Sequence, residues 1–170
     1  MSKTKWKLAE ALKKLIKEKS LHKITIQDIV EESGLTRQSF YYHFHDICEI
    51  IEWICKNTLL EKCDVEEKTP DCWIYTLFEN AHADRHFYRK VIREFGRELL
   101  EKAVTTDVEE RMKRMLSTYK IEEKEVLTFL TTSLLNYVII VAETYDDKIG
   151  HEQIEHILLF LKNGMQEYCH

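Results

Sequence analysis

Residues 24–46, ITIQDIVEESGLTRQSFYYHFHD, constrain the fold more than any other stretch of the chain. A short run of helical spacing (Ile26, Ile29, Val30) ends at Gly34, and a second run begins two residues later at Thr36. Thr25 suits an N-cap, with Asp28 at the third helical position to complete a reciprocal cap. Gly34 suits the left-handed residue that closes a helix, and Thr36 caps the next one, which is expected to run to about Phe44. Two short helices joined by a glycine turn form a helix-turn-helix, and a core must be built behind them.

The rest of the chain agrees with helix. Its 170 residues hold four glycines and one proline, Pro70, so interruptions of helix are few. Apolar positions 8, 9, 11, 12, 15 and 16 predict a first helix over about 6–19. A longer helix is predicted over about 47–63, then others over about 71–82, 86–103, 105–118, 122–145 and 151–168. Thr69 or Asp71, Thr105 or Thr106, and Gly150 are the expected punctuation. The polar segment 64–70 reads as a surface loop. The expected fold is all-α: a three-helix head (1–46), then a linking helix and a C-terminal helical ligand and dimerisation domain (47–170).

Charge is divided unevenly. Residues 1–23 carry eight lysines against Glu10 and Glu18, a net +6, which leaves −11 on the other 147 residues of a chain whose total is −5. A basic end on an acidic body fits a local polyanion contact, because phosphate neutralisation needs cations on one surface. A solvated lysine face on an ordinary helix would produce the same count.

The third helix has what base reading needs: short or planar polar side chains near its start and an apolar back. Thr36, Arg37, Gln38 and Ser39 supply the first, and Phe40 and Phe44, helped by Leu35, the second. Arg37 can fork onto guanine and Gln38 onto adenine. Thr36 and Ser39 suit phosphate as well as base. Tyr41, Tyr42 and His43 fall further along and can donate to phosphates. Lys23 and the helix start at Thr25 are further candidates for the backbone. Spacing alone would equally allow a plain helical hairpin with a polar surface.

Taken together, TIQDIVEESGL (25–35) and the Thr36, Ser39, Tyr41, His43 and Phe44 of TRQSFYYHF resemble the DNA-binding head of the TetR family of bacterial regulators. The resemblance covers about the first 60 residues. It implies an all-α homodimer whose two heads read a near-palindromic, double-stranded operator about one turn apart. It also implies a phosphate-contacting lysine at the start of the fourth helix. That position is Ile47 here, so His45 or Tyr42 is the expected substitute. RQSFYYHFHDICEIIEWI (37–54), with FYRKVIREFGRELLEK (87–102), resembles a narrower branch that regulates dihydroxyacetone kinase operons. Members of that branch act as activators with a protein co-regulator, whereas most of the wider family are repressors released by a small effector.

Within the body, stripes at Leu127, Leu130, Leu134, Tyr137, Val138 and Val141, and at Ile154, Ile157, Leu158, Leu161 and Met165, are expected to serve core and dimer surface together. By the resemblance, about 122–145 and 151–168 would form the dimer. Trp73, Phe78, Phe95, Asn136 and Tyr137 are the candidate effector-binding residues, although aromatics between helices are more often core. Residues 126–142 are the most apolar stretch, but Thr128, Thr131, Thr132, Ser133 and Asn136 interrupt it, so it reads as a buried or interface helix and no membrane partner is expected.

No catalytic, metal or cofactor site is expected. His82 and His86 stand four apart without a third ligand in view. The five cysteines form no CxxC pair and fit reduced thiols in a cytoplasmic protein. Nucleophile elbow, P-loop, dinucleotide glycine motif and HExxH are all missing, which argues against an enzyme. The rival to DNA reading is a protein-interaction module that keeps the head's shape but has lost DNA binding.

Overall fold

A computed structural model of the chain describes residues 2–61, 63, 72–143 and 151–168. The expected loop at 64–70, the punctuation at Thr69, Asp71 and Gly150, and Cys169 lie outside the described residues. Among the described residues the protein is all-α, as its sparse glycine and proline content requires. The helices are α1 (Lys3–Glu18), α2 (Ile26–Ser33), α3 (Arg37–His43), α4 (Ile47–Leu59), α5 (Cys72–Ala83), α6 (Arg85–Phe95), α7 (Arg97–Thr118), α8 (Lys124–Glu143) and α9 (His151–Tyr168). A single 3₁₀ turn, Leu21–Lys23, links α1 to α2.

One boundary differs from expectation. The break foreseen at Thr105–Thr106 falls instead at Gly96, and α7 runs through both threonines. Gly96 has a φ of +89°, which a glycine adopts without penalty and a β-carbon resists. Mid-helix threonine costs only a few tenths of a kcal/mol, so apolar positions Leu100, Val104, Val108, Met112 and Met115, all buried, carry the helix onward.

The chain separates into two compact units that do not divide at one point in sequence. One unit comprises Met1–Asn57 together with His86–Ala103; the other comprises Thr58–Arg85 and Val104–His170. In the first, Leu8, Leu12, Ile29, Phe40, Phe44, Ile50 and Ile54 form a fully buried centre. In the second, α5 packs against α8 and α9, with Ile74, Leu77, Phe78, Val138 and Ile154 buried.

Candidate nucleic-acid interface

Local chemistry shapes the head. Thr25 caps α2: its hydroxyl accepts from the Asp28 amide at 3.2 Å, and the Asp28 carboxylate accepts from the Thr25 amide at 2.7 Å. Gly34 closes α2 at φ +67°. Its N–H reaches the Glu31 carbonyl and the next N–H, of Leu35, reaches Val30 at 2.9 Å, the paired bonds of a Schellman motif. Thr36 then caps α3 by accepting from the Ser39 amide at 3.1 Å. The turn between α2 and α3 is thus set by one left-handed glycine and one threonine cap.

The seat of α3 is aromatic. Phe40 and Phe44 are buried, 5.9 Å apart between ring centres. Trp53 from α4 meets Phe44 at 6.0 Å, and Trp6 from α1 meets Trp53 edge-on at 5.0 Å. The Lys5 ammonium lies over both the Phe44 and Trp53 rings, at 5.2 and 5.8 Å, a cation–π arrangement that lengthens the seat without burying the charge.

Opposite this seat, Thr36, Arg37, Gln38, Tyr41 and Tyr42 are exposed. Tyr42 is 84% exposed and Tyr41 55%, unusually open for rings of that size. Ser39 and His43 are half-buried, and Lys23, Thr25 and His45 are exposed. The structure therefore gathers Thr36 to Tyr42 on one short helix. It gives Thr25 and Thr36 a first duty as caps.

The start of α4 is acidic. Asp46 accepts from the Glu49 amide at 2.8 Å, and Glu49 accepts from the His45 amide at 2.6 Å. Two carboxylates thus occupy the helix end where the family resemblance implied a lysine, with Ile47 half-buried between them. The missing cation is visible in the sequence; the two carboxylates that cap the helix start instead are signalled there only by the D-x-x-E spacing.

Comparison with known proteins agrees with this geometry. Residues 8–52 match the profile described as "Bacterial regulatory proteins, tetR family". Residues 8–52 are thus similar to the DNA-binding head of TetR-family regulators. A curated relative, the HTH-type dhaKLM operon transcriptional activator DhaS of Lactococcus lactis subsp. lactis (strain IL1403), is 33% identical over 54 residues, which are 32% of this chain and 29% of that protein. The match thus spans under a third of the relative's length. A solved structure titled "Dihydroxyacetone kinase operon activator DhaS" superposes with a TM-score of 0.58 at 17% identity, covering 94% of this chain and 96% of that one. That likeness shows a shared all-helical fold over nearly all of the chain. The family is one of regulators, not enzymes.

The five candidate effector residues do not converge. Phe78 and Tyr137 meet edge-on at 5.4 Å and both line a groove of about 270 Å³ among α5, α7, α8 and α9, with Met112, Met115, Leu134 and Leu161. Trp73 is buried with its indole N–H unpaired. Asn136 is exposed on α8. Phe95 belongs to the other unit, where its ring stacks on His22 at 5.2 Å. His82 lies in the last turn of α5 and His86 in the first turn of α6, so no single helix carries both; among the described residues no group of three or more metal-ligating side chains occurs.

Helix α8 is, by length and composition alone, long and apolar enough to cross a membrane, with 39% of its apolar window buried. Its residues Leu134, Val138 and Val141 are buried, while Phe129 and Ile140 are 69% and 37% exposed. On α9, Leu159 and Phe160 are 56% and 77% exposed.

Proposed function

We propose that the protein is a cytoplasmic, homodimeric transcription regulator that binds double-stranded operator DNA through α3. The observation that carries this reading is the row Thr36, Arg37, Gln38, Tyr41 and Tyr42, exposed on a helix whose opposite side is locked by Phe40 and Phe44. Arg37 and Gln38 read base edges. Tyr41, Tyr42, His43 and Lys23 hold phosphates. The exposed apolar side chains of α8 and α9 are the proposed contact between copies, which places two heads on two half-sites.

The default for the wider family is repression relieved by a small effector. The groove beside Phe78 and Tyr137 supports a mostly apolar effector, because Ser133 and Tyr137 are its polar lining residues. The activator titles of both relatives favour the opposite sign, activation of an operon; a protein co-regulator is the partner that the branch resemblance adds to that reading.

Titration of the full chain against labelled duplexes from its own genomic neighbourhood, followed by fluorescence anisotropy across a salt series, tests the reading. The expected result is tight binding to one near-palindromic fragment with steep loss of affinity as salt rises. Undetectable binding to every fragment would instead favour the protein-interaction module.

A further inference from the structure

Residues 87–102 stood out in the sequence, yet base reading and dimerisation use none of them. In the structure α6 from His86 onward sits in the same compact unit as the helix-turn-helix, although it begins more than 40 residues after Phe44. Phe87, Lys90, Val91 and Glu94 recur at helical spacing and share one side of α6. The Lys90 ammonium donates to the Ile16 carbonyl and, at 2.8 Å, to the Lys19 carbonyl. Those carbonyls belong to the last turn of α1, where intrahelical partners run out and a cation is favoured.

One turn further along α6, the Glu94 carboxylate accepts from the Ser20 hydroxyl at 2.6 Å and from the His22 amide at 3.3 Å. Burial alone would push the Glu94 carboxyl up, but these bonds and one from the Leu21 amide hold it below its ordinary value. Phe95 stacks on His22, and the Lys13 ammonium lies 5.6 Å over the Phe87 ring. One helix therefore grips the α1–α2 junction with opposite charges, a cation on its carbonyls and an anion on its amides. Apolar adhesion does not require this, since Tyr88, Val91 and Ile92 are already buried.

We propose that Lys90 and Glu94 are positioning residues of the DNA-reading surface, fixing the 20–23 turn and through it the placement of Lys23 and α2 against α1. The proposal rests on the DNA-binding reading above. Leu21 and Ile24 of the turn are buried, and its amides are shared out by hydrogen bonds. Lys23 and Ile24 donate within it, to Ser20 and Leu21, whereas the amides of Leu21 and His22 go to Glu94.

The test uses the full chain with Glu94→Ala, Glu94→Gln and Lys90→Met. Amide hydrogen exchange is read at Leu21 and His22, and anisotropy is read with the selected operator and a scrambled duplex. Glu94→Ala should speed exchange at Leu21 and His22 about tenfold, the order expected for losing a charged acceptor, and leave α6 amides unchanged. It should weaken operator binding about tenfold more than scrambled-duplex binding, and Glu94→Gln, which keeps one acceptor oxygen, should recover much of both. Lys90→Met should loosen the same turn from the α1 side. Unchanged exchange in both Glu94→Ala and Lys90→Met overturns the clasp. Faster exchange with unaltered operator preference overturns the positioning role. An unmodified chain that binds no duplex overturns the DNA reading and the positioning role with it, while the exchange arm separates that failure from failure of the clasp.

Discussion

Thr25 and Asp28 close on one another at the start of α2, each satisfying the other's backbone N–H, and the Lys19 ammonium lies 2.7 Å from the same Asp28 carboxylate. Hydrogen bonding from Lys19, then from the Thr25 amide and hydroxyl, lowers the Asp28 carboxyl from 3.8 to about 2. A depressed carboxyl contributes stability above its unfolded pKa and loses it as pH falls through the folded one. Protection of the 26–33 amides should therefore hold down to about pH 4 and fall between 3.8 and about 2. Asp28→Asn should start lower and lack that step. Parallel profiles for the two proteins, measured by hydrogen exchange, would remove Asp28 from the account.

At the reading surface, Arg37→Ala or Gln38→Ala should cost about 1–3 kcal/mol of discrimination, concentrated at one base pair per half-site. Lys23→Ala should weaken all sequences about equally and lower the salt slope by about 1. Competition titrations with single-base operator variants tell these apart. An Arg37→Ala protein with full base preference would sink its assigned role.

The head was legible because its signals are local. Thr25 with Asp28, Gly34, and Thr36 with Ser39 each act within five residues, so spacing alone marks where α2 and α3 begin and end. The α6 contacts were not legible, since Lys90 and Glu94 meet residues more than 70 positions away and nothing near them in sequence names a partner. Gly96 does not stand out as a break because EFGREL keeps a helical rhythm on both sides, while Thr105–Thr106 resembles a break that packing overrides. Phe78 and Tyr137 line the groove, but aromatic character alone does not separate them from Phe95, which serves another unit.

The end of α7 offers a stability test independent of DNA. Lys120 sits at φ +58°, with its N–H on Ser117 and the Ile121 N–H on Leu116, and both Leu116 and Ile121 are buried. This is a glycine-type helix close occupied by a lysine. Lys120→Gly should relieve left-handed strain and raise stability by about 0.5–1 kcal/mol, net of glycine's unfolded-state entropy. Urea unfolding followed by circular dichroism gives the sign; destabilisation would mean that the lysine side chain is itself a structural contact.

Ile47 gives a gain-of-function test. The Asp46 and Glu49 carboxylates at the α4 start oppose a phosphate there. Ile47→Lys, alone and with Asp46→Asn, should strengthen binding to operator and scrambled duplex alike and steepen the salt slope by about 1. Affinity gained for operator only would mean that the residue reads sequence through the turn instead of contacting backbone.

The proposed dimer would let the head's modest contact set yield a useful affinity. Phe129 and Ile140 on α8 and Leu159 and Phe160 on α9 remain open in a single chain, and exposed apolar surface of this kind marks an interaction face. Phe160→Glu with Phe129→Glu should convert a dimer to a monomer in sedimentation equilibrium, since burying two carboxylates per copy without partners is prohibitive. The helical content of each chain should stay close to wild type. Each head should then bind a half-site with unchanged base preference, while the full operator loses about 10²–10⁴-fold, the gain that linking two modules normally supplies. A double variant that remains a dimer, or a monomer that binds the full operator at wild-type strength, would place the interface elsewhere and return α8 and α9 to an ordinary surface.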